Sequence, residues 1–461
     1  MIHQRIKNLI LIIMVIACVY LGSNVWLKIP DFLMYDFQQD DTAAEEVDPK
    51  INFWKVIKPI KNIINYKDNY TVLYSDDEYN LWLKATDIIS NGFKDYNGRI
   101  DASSVVFPTQ YLKFDFPVNI PIEIFTDQMK IENDKLNEDV GNIKNIIIDL
   151  DNRNCIYIYN GESTFKIESD KINSDSIFKT VEGIDFNNAT KYSLEEKIGE
   201  EKIQIPVPLE QSARNPVFVQ SELDVFDTAA INKIAKNYFK NNYEYVRKLV
   251  EVSGNLVYVY RTEKVLKINA EGQLDFYDSN LEFSNNHDIR KSLISAINFT
   301  ENFLGFPKDG YLSNIESIQI EGNYGYRFIF SYNILDRPIL FSRVRDNAAL
   351  QIDVIGDDVV SYKRFIRNID ETQRDFMKDF EIMSAADVIN KNLQSGETTD
   401  GIAELKPLKL EMIKNISNIY LGYFDLSRVQ KEQVLRVVWV IEVGDKSYIF
   451  NAISGALIEE W

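Results

Sequence analysis

The sequence predicts an α+β fold in which a single N-terminal transmembrane helix precedes two or three extracytoplasmic domains with antiparallel sheets. Three observations lead to this prediction: an uncharged apolar segment near the start, an acidic segment after it, and short β-rich runs that alternate with amphipathic helices. A chain of 461 residues is also too long for one hydrophobic core. The predicted divisions are a head and transmembrane helix (1–28), an acidic linker (29–50) and domains at 51–205, 206–370 and 371–461.

The apolar segment has the length and the flanking charges of a membrane span. No charged side chain occurs from Asn8 to Leu27, and about 20 residues at ~1.5 Å per residue match a hydrocarbon core of roughly 30 Å. Arg5 and Lys7 precede the segment, whereas acidic residues beginning with Asp31 follow it. The positive-inside rule therefore predicts a single-pass protein of the cell membrane, with a cytoplasmic N-terminus and an extracytoplasmic C-terminal bulk.

Two alternatives to an uncleaved anchor remain open. Val15 to Cys18 loosely fits a lipobox, so a lipidated Cys18 could become the mature N-terminus. A cleaved signal peptide is the other alternative, although the segment lacks a good small-x-small cleavage site. The apolar run continues through Val19 to Leu21, which favours the uncleaved anchor over both.

One side of the predicted transmembrane helix is a candidate partner-binding surface. Cys18, Gly22 and Trp26 recur at four-residue spacing and share a helix face, and Asn24 is a polar residue near the outer end. Small residues allow close helix approach, and polar residues can hydrogen-bond across helices. The alternative interpretation is that Gly22 to Asn24 only mark the interfacial end of the anchor.

Composition excludes several classes of function. With 51 basic and 70 acidic residues the net charge is −19, which disfavours binding to nucleic acid. Two cysteines and two histidines cannot form a disulfide framework or a histidine-rich metal site. The sequence has no phosphate-binding loop and no G-x-S-x-G elbow, and Cys155 lies alone in an alternating apolar run that is typical of a buried strand. We therefore expect a protein without catalytic residues, metal or cofactor.

Local patterns predict the elements of the outer domains. Ser75 to Glu78 matches a capping box ahead of an amphipathic helix, and Asp227 and Ser384 are predicted to cap two further helices. Tyr111 to Phe125 alternates around two prolines and predicts a strand pair, and Lys409 to Leu421 predicts a strand.

An internal similarity links the second and third predicted domains. A β-meander is predicted from Tyr245 to Tyr277, and within it Lys267 to Leu274 reads KINAEGQL. Ile449 to Ile458 reads IFNAISGALI, with the same order of β-residues, Asn-Ala, Gly and a returning strand. Both segments predict hairpins whose Gly adopts positive φ, and the repeat indicates related α+β units.

Three segments give the chain a family resemblance. Val437 to Leu457, Arg337 to Phe341 and Val360 to Arg364 resemble the YycH and YycI proteins of Gram-positive bacteria, and the length suits YycH. The closing motif of Asn451, Ala452 and Gly455, here expected to be structural, also occurs in PepSY-type domains. The resemblance implies that the last domains are YycI/PepSY-like.

The resemblance also implies a function. YycH-like proteins are non-enzymatic accessory regulators of the essential YycFG (WalRK) two-component system, which controls cell-wall metabolism. The implied partners are the YycG/WalK-like sensor histidine kinase and a YycI-like protein, which associate with this chain in the lipid bilayer. The alternatives are an exported PepSY-like lipoprotein or protease inhibitor and, less favoured, a cell-wall hydrolase with paired carboxylates.

Overall fold

A computed structural model describes residues 53–75, 78–98, 107–198, 201–280, 288–343, 348–393, 408–426 and 433–461. The chain divides into two units, Met1–Pro49 and Lys50–Trp461, and all described residues belong to the second. The predicted transmembrane helix lies outside the described residues. Within the described ranges, no helix is both long enough and apolar enough to cross a bilayer.

The α-helices of the described residues are short, and they lie between groups of strands. They are α1 (Leu81–Asp95), α2 (Ile122–Gln128), α3 (Asp134–Val140), α4 (Asp175–Glu182), α5 (Thr228–Phe239), α6 (Ile289–Phe303) and α7 (Ala385–Asn392).

The N-terminal sheet is antiparallel and has six strands in the order β2-β1-β3-β4-β5-β6. Its strands are β1 (Lys61–Tyr66), β2 (Asn69–Leu73), β3 (Tyr111–Pro121), β4 (Asn142–Asp149), β5 (Cys155–Tyr159) and β6 (Thr164–Glu168). Short strands follow it: β7 (Tyr192–Ser193), β8 (Glu196–Ile198), β9 (Glu201–Ile203), β10 (Val207–Pro208) and β11 (Ser212–Arg214).

A fifteen-stranded sheet contains most of the remaining strands, beginning at β13 and continuing through β14, β15, β16, β21, β20 and β18. The strands from β12 onward are β12 (Val217–Ser221), β13 (Arg247–Val250), β14 (Leu256–Tyr260), β15 (Lys264–Ile268), β16 (Leu274–Asp278), β17 (Gly310–Ile320), β18 (Asn323–Ile334), β19 (Arg337–Phe341), β20 (Leu350–Ile355), β21 (Asp358–Arg364), β22 (Arg367–Ile369), β23 (Asp379–Glu381), β24 (Ile416–Asp425), β25 (Val434–Val443), β26 (Lys446–Asn451) and β27 (Leu457–Glu460).

Helices cover one face of the N-terminal sheet and one face of the fifteen-stranded sheet. Alternate residues of β1 are buried, as expected for a strand with one covered face. α1 contributes Trp82, whose ring packs edge-on against Phe114 and Phe116 of β3 at centroid distances of 5.2 and 5.4 Å. In the large sheet, Phe299 of α6 packs against Tyr362 of β21 at 5.2 Å. These aromatic contacts add specific geometry to the burial of apolar area.

Several predicted elements are confirmed. Asp227 accepts a hydrogen bond from Ala230 N at the start of α5, and Ser384 accepts one from Asp387 N at the start of α7. The predicted meander is present as β13 to β16, all antiparallel. The predicted α+β class with antiparallel sheets is therefore confirmed at this level.

Three local predictions are wrong. α1 begins at Leu81 after Asn80, which adopts a left-handed conformation, so Ser75 does not cap it. Tyr111 to Phe125 is one strand that ends at Pro121 and continues into α2. The first half of the predicted strand at Lys409 is a 3₁₀ turn, and β24 begins only at Ile416.

The strand order joins the second and third predicted domains. β19 pairs with β24 in parallel, with Ile339 opposite Tyr423, and this pairing departs from the predicted antiparallel pattern. β12 pairs with both β22 and β25, in antiparallel orientation. The domain boundaries after residues 205 and 370 remain predictions, but these ladders carry main-chain hydrogen bonds across the second of them.

Candidate functional site

Of the predicted site residues, the structure describes only the closing motif. Cys18, Gly22, Asn24 and Trp26 lie outside the described residues, so their predicted role in partner binding remains a prediction. Asn451 is the last residue of β26, and Ala452 and Gly455 follow it in the turn that leads to β27.

The motif forms a tight turn in which Asn451 supplies the acceptor. Its Oδ1 accepts hydrogen bonds from Ile453 N at 3.0 Å and Ser454 N at 2.8 Å. Gly455 has φ of 69°, a conformation that glycine adopts without a Cβ penalty. The Gly455 amide donates to the Asn451 carbonyl at 2.8 Å. The sequence therefore encodes this turn locally.

The same turn holds α7 against the end of the sheet. Asn392 Nδ2 at the end of α7 donates to the Gly455 carbonyl at 2.7 Å. Met383 N donates to the carbonyl of Ala452, which is fully buried, at 2.9 Å. Trp439 Nε1 completes the junction by donating to the Met383 carbonyl at 2.8 Å. These contacts give the motif a packing role in the C-terminal region.

The other hairpin of the predicted internal similarity forms a related turn, although its hydrogen-bond spacing differs. Asn269 Oδ1 accepts from Glu271 N at 3.1 Å and from Gln273 N at 2.8 Å, and Gly272 has φ of 85°. Here the turn packs against β12, because Ser221 Oγ donates to the Glu271 carbonyl at 2.5 Å. Both turns thus join a hairpin to a neighbouring element.

Two adjoining clefts lie between the N-terminal sheet and the C-terminal strands, and we consider them as a candidate site. The first has a volume of about 620 Å³. On its wall, Arg337 donates to Glu210 at 2.8 Å, and Thr190 Oγ1 also donates to this carboxylate at 3.3 Å. Asn333 Nδ2 donates to the Tyr74 carbonyl at 2.6 Å. Polar contacts between distant parts of the chain therefore define the cleft.

The second cleft has a volume of about 450 Å³ and is lined by several charged side chains. It shares Val72, Tyr74 and Tyr192 with the first cleft. Its charged lining consists of Lys61, Lys113, Lys144, Asp115 and Glu442.

Lys61 joins the N-terminal sheet to β24 across the second cleft. Its Nζ donates to Asn418 Oδ1 at 2.9 Å and lies 5.3 Å from the centroid of the Tyr420 ring. Burial lowers the pKa of Lys61, although the carboxylates of Asp115 and Glu442 act in the opposite direction. Burial raises the pKa of Tyr420 well above its ordinary value, so this phenol stays neutral.

The clefts supply hydrogen-bond donors and charges. Burial raises the pKa of Cys155 to about 11, so the thiol stays protonated in the interior of the N-terminal sheet. Among the described residues, no group of three or more histidine, cysteine or acidic side chains could hold a metal ion. Such a lining suits reversible binding of a polar ligand or segment.

Sequence patterns did not indicate this site. Its lining comes from separate segments around Lys61, Lys113, Tyr192, Arg337 and Asn418, which only the tertiary fold brings together. The available signal was weak, because Lys61 and Lys113 occupy half-buried positions in strands whose alternate residues are buried, a pattern that is also typical of a solvated sheet face.

Comparison with known proteins identifies the N-terminal part of the chain. Residues 4–185 match the family model for the N-terminal domain of the YycH protein. This match supports membership of the YycH family for the N-terminal part of the chain. Membership of the YycH family indicates a regulator of the YycFG two-component system. The matched range contains the six-stranded N-terminal sheet and the walls that it contributes to both clefts.

Other comparisons add little to the YycH assignment. No curated protein matches the chain significantly. A solved structure described as the Bacillus megaterium YpeB C-terminal domain matches with 12% sequence identity and a TM-score of 0.25. That match covers 51% of this chain and 96% of the YpeB domain.

Proposed function

We propose that this chain is a membrane-anchored, non-enzymatic accessory regulator of the sensor histidine kinase in a YycFG-type two-component system, and that it influences cell-wall metabolism. The family match over residues 4–185 is the observation that carries the proposal. That match begins ahead of the apolar segment from Asn8 to Leu27, so the predicted anchor falls within the family domain. The proposed partners in the membrane are the kinase and a YycI-like protein.

Regulation of this kind requires only a small difference in binding energy. A regulator shifts a two-state kinase by the difference between its affinities for the two states. Polar contacts between transmembrane helices contribute about 1–2 kcal/mol each, and about 1.4 kcal/mol changes an equilibrium tenfold. A shared membrane raises the effective concentration of the partners. The predicted face of Cys18, Gly22 and Trp26, together with the polar Asn24 elsewhere on the helix, would therefore be enough to bias kinase output.

The first experiment tests the helix face. Full-length protein that carries Gly22→Leu together with Asn24→Leu should lose most of its co-purification with the kinase, because the substitutions remove the close approach and the polar contact. Ser23→Leu is a small-to-large control that lies about 100° around the helix from both Gly22 and Asn24. Equal recovery of kinase with both proteins, together with unchanged kinase output, would reject the helix face.

The second experiment tests the anchor. Mass spectrometry of the mature protein should find an intact N-terminus at Met1 or Ile2. A diacylglyceryl group on Cys18 would instead establish a lipoprotein and reject the transmembrane contact. Replacing residues 8–27 with an unrelated apolar span should keep the protein in the membrane and abolish its effect on kinase output.

A further inference from the structure

β13 is the terminal strand of the fifteen-stranded sheet, and β14 is its single strand partner among the described residues. The amide of Glu251, just after β13, donates to the Asn255 carbonyl at 2.9 Å and therefore points toward β14. In an antiparallel ladder, alternate residues point their N–H and C=O to opposite sides. Leu249 thus also bonds toward β14, whereas Lys248 and Val250 direct their main-chain groups to the open edge.

Apolar side chains surround this open edge. Tyr245 is 73% exposed and Val250 is 57% exposed, and Val252 is fully exposed. Natural proteins protect edge strands with charges, prolines or covering segments, since an open edge readily pairs with another chain. Exposed apolar side chains beside such an edge are typical of a binding surface.

The stretch of sequence that contains the edge has the opposite charge to the whole chain. Residues 233–267 contain eight basic and three acidic side chains, a net charge of +5, whereas the full chain has −19. Of the acidic residues, Glu251 pairs with Lys267 at 3.3 Å and Glu263 lies 4.0 Å from Arg261. Arg247 pairs with no carboxylate in the described part of the chain. Positive charge is therefore available at the strand itself.

We propose that the open edge of β13 docks an acidic, extended segment of a partner protein, which adds to the sheet as a further strand. The alternating donors and acceptors at Lys248 and Val250 match a polypeptide backbone, and the positive charge selects acidic side chains. A second copy of this chain fits poorly, because edge-to-edge pairing would bring Arg247 and Lys248 of both copies together. The edge is distinct from the transmembrane face and does not depend on it.

A peptide-binding experiment tests the edge. The probe is a fluorescent ten-residue peptide of alternating glutamate and valine or threonine, added to full-length protein in detergent, and its control replaces each glutamate by lysine. We expect the acidic peptide to bind at least about tenfold more tightly than the lysine peptide, and more weakly at high salt. No binding of the acidic peptide up to about 1 mM, or equal binding of both peptides, would overturn the proposal.

Two substitutions separate backbone pairing from charge. Val250→Pro removes an N–H that faces the edge without removing a bond to β14, whereas Val250→Thr keeps that N–H. We expect about tenfold weaker binding with proline and a much smaller change with threonine. Arg247→Glu should weaken binding of the acidic peptide and strengthen binding of the lysine peptide. If the proline variant does not fold, this substitution still tests whether the peptide binds at the edge.

Analytical ultracentrifugation tests whether a second copy of this chain, instead of a partner protein, occupies the edge. The native protein should show no concentration-dependent dimer that Val250→Pro abolishes. Such a dimer would assign the edge to a second copy and overturn the partner proposal. Kinase co-purification by the Gly22→Leu and Asn24→Leu protein is a separate readout, so the two proposals can fail independently.

Discussion

Arg364 is a cationic side chain in the interior of the large sheet. It is 1% exposed and makes two hydrogen bonds to the Glu222 carboxylate, at 2.6 and 2.7 Å. Its Nη1 also donates to the Gly305 carbonyl at 2.7 Å. Removing one partner of a buried ion pair is costly because the remaining charge loses its compensation. Arg364 therefore fixes the loop after β12 to the sheet.

We predict that Arg364→Ala lowers the free energy of unfolding by about 3 kcal/mol. Urea denaturation of the full-length protein measures this change. Arg374→Ala is the matched control, because Arg374 pairs with Glu371 at 3.0 Å while both side chains are 65% exposed. That exposed pair should contribute at most about 0.5 kcal/mol. A similar loss from both substitutions would contradict the buried role of Arg364.

Three glycines with positive φ should differ in their tolerance of a methyl group. A Cβ at Gly272 would lie 2.5 Å from the Leu223 carbonyl oxygen, whereas one at Gly455 would lie 3.0 Å from the mobile end of Met383. A Cβ at Gly444 would meet nothing within 4 Å. Each alanine costs about 1 kcal/mol for the backbone conformation, and a contact with backbone adds to that cost.

Thermal unfolding should therefore rank the alanine variants, with Gly272→Ala the least stable, Gly455→Ala intermediate and Gly444→Ala the most stable. We expect the loss of stability from Gly272→Ala to exceed that from Gly444→Ala by about 1–3 kcal/mol, which is the typical cost of overpacking. Equal losses would mean that the turn relaxes away from β12. The sequence predicted both turns that run from an Asn-Ala pair to a Gly, but the approach of Gly272 to Leu223 joins segments that are distant in the sequence.

At the scale of elements, the N-terminus of α6 should be sensitive to pH. Asp288 caps this helix and accepts from Arg290 N at 3.0 Å. The hydrogen bonds and charge of the Arg290 side chain hold the pKa of Asp288 below its ordinary value. A carboxylate with a lowered pKa stabilises the fold above its unfolded pKa, near about 4, and loses that contribution as the pH falls through the folded value.

We predict that Asp288→Asn lowers stability at pH 7 and has a progressively smaller effect below about pH 4. Asparagine can still cap the helix, so the difference isolates the charge. Urea midpoints measured between pH 7 and pH 3 check this expectation. A deficit that persists unchanged at pH 3 would assign the effect to packing.

Sequence patterns predicted elements well where local chemistry decides them. Asp227 and Ser384 were correctly predicted as caps because each accepts a hydrogen bond from a main-chain amide within its own first turn. The prediction failed at α2, where Ile122, Ile124 and Phe125 are all buried. Ile122 and Ile124 alternate with the exposed Glu123, so the start of this short helix has the period of a strand.

At the scale of the whole molecule, the strand order could not be read from the sequence. The parallel pairing of β19 with β24 brings together residues separated by a helix, several strands and a loop. The clefts depend on this arrangement, because Arg337 begins β19 and Asn418 lies in β24. Local periodicity reports which face of a strand is buried, but it carries no information on which distant strand becomes its neighbour.

Continuous pairing across the boundary predicted at residue 370 should make the two sides unfold together. β12 and β19, which precede the boundary, pair with β25 and β24, which follow it. Because strands from both sides of residue 370 pair with one another, Trp439 is buried in a core that also contains Tyr332 and Phe341, which precede the boundary. Separating the two sides would expose this shared core to water.

We therefore predict that residues 256–278 and 416–451 lose hydrogen-exchange protection at the same denaturant concentration. Hydrogen exchange of the full-length protein, followed by mass spectrometry over a urea series, measures both segments in one sample. Trp439 fluorescence should change over the same range, because its side chain is fully buried. Gln220→Pro, which removes the main-chain donor that pairs with Asn368 of β22, should shift both transitions together. Two separated transitions would show that the predicted domains fold independently despite their shared strands.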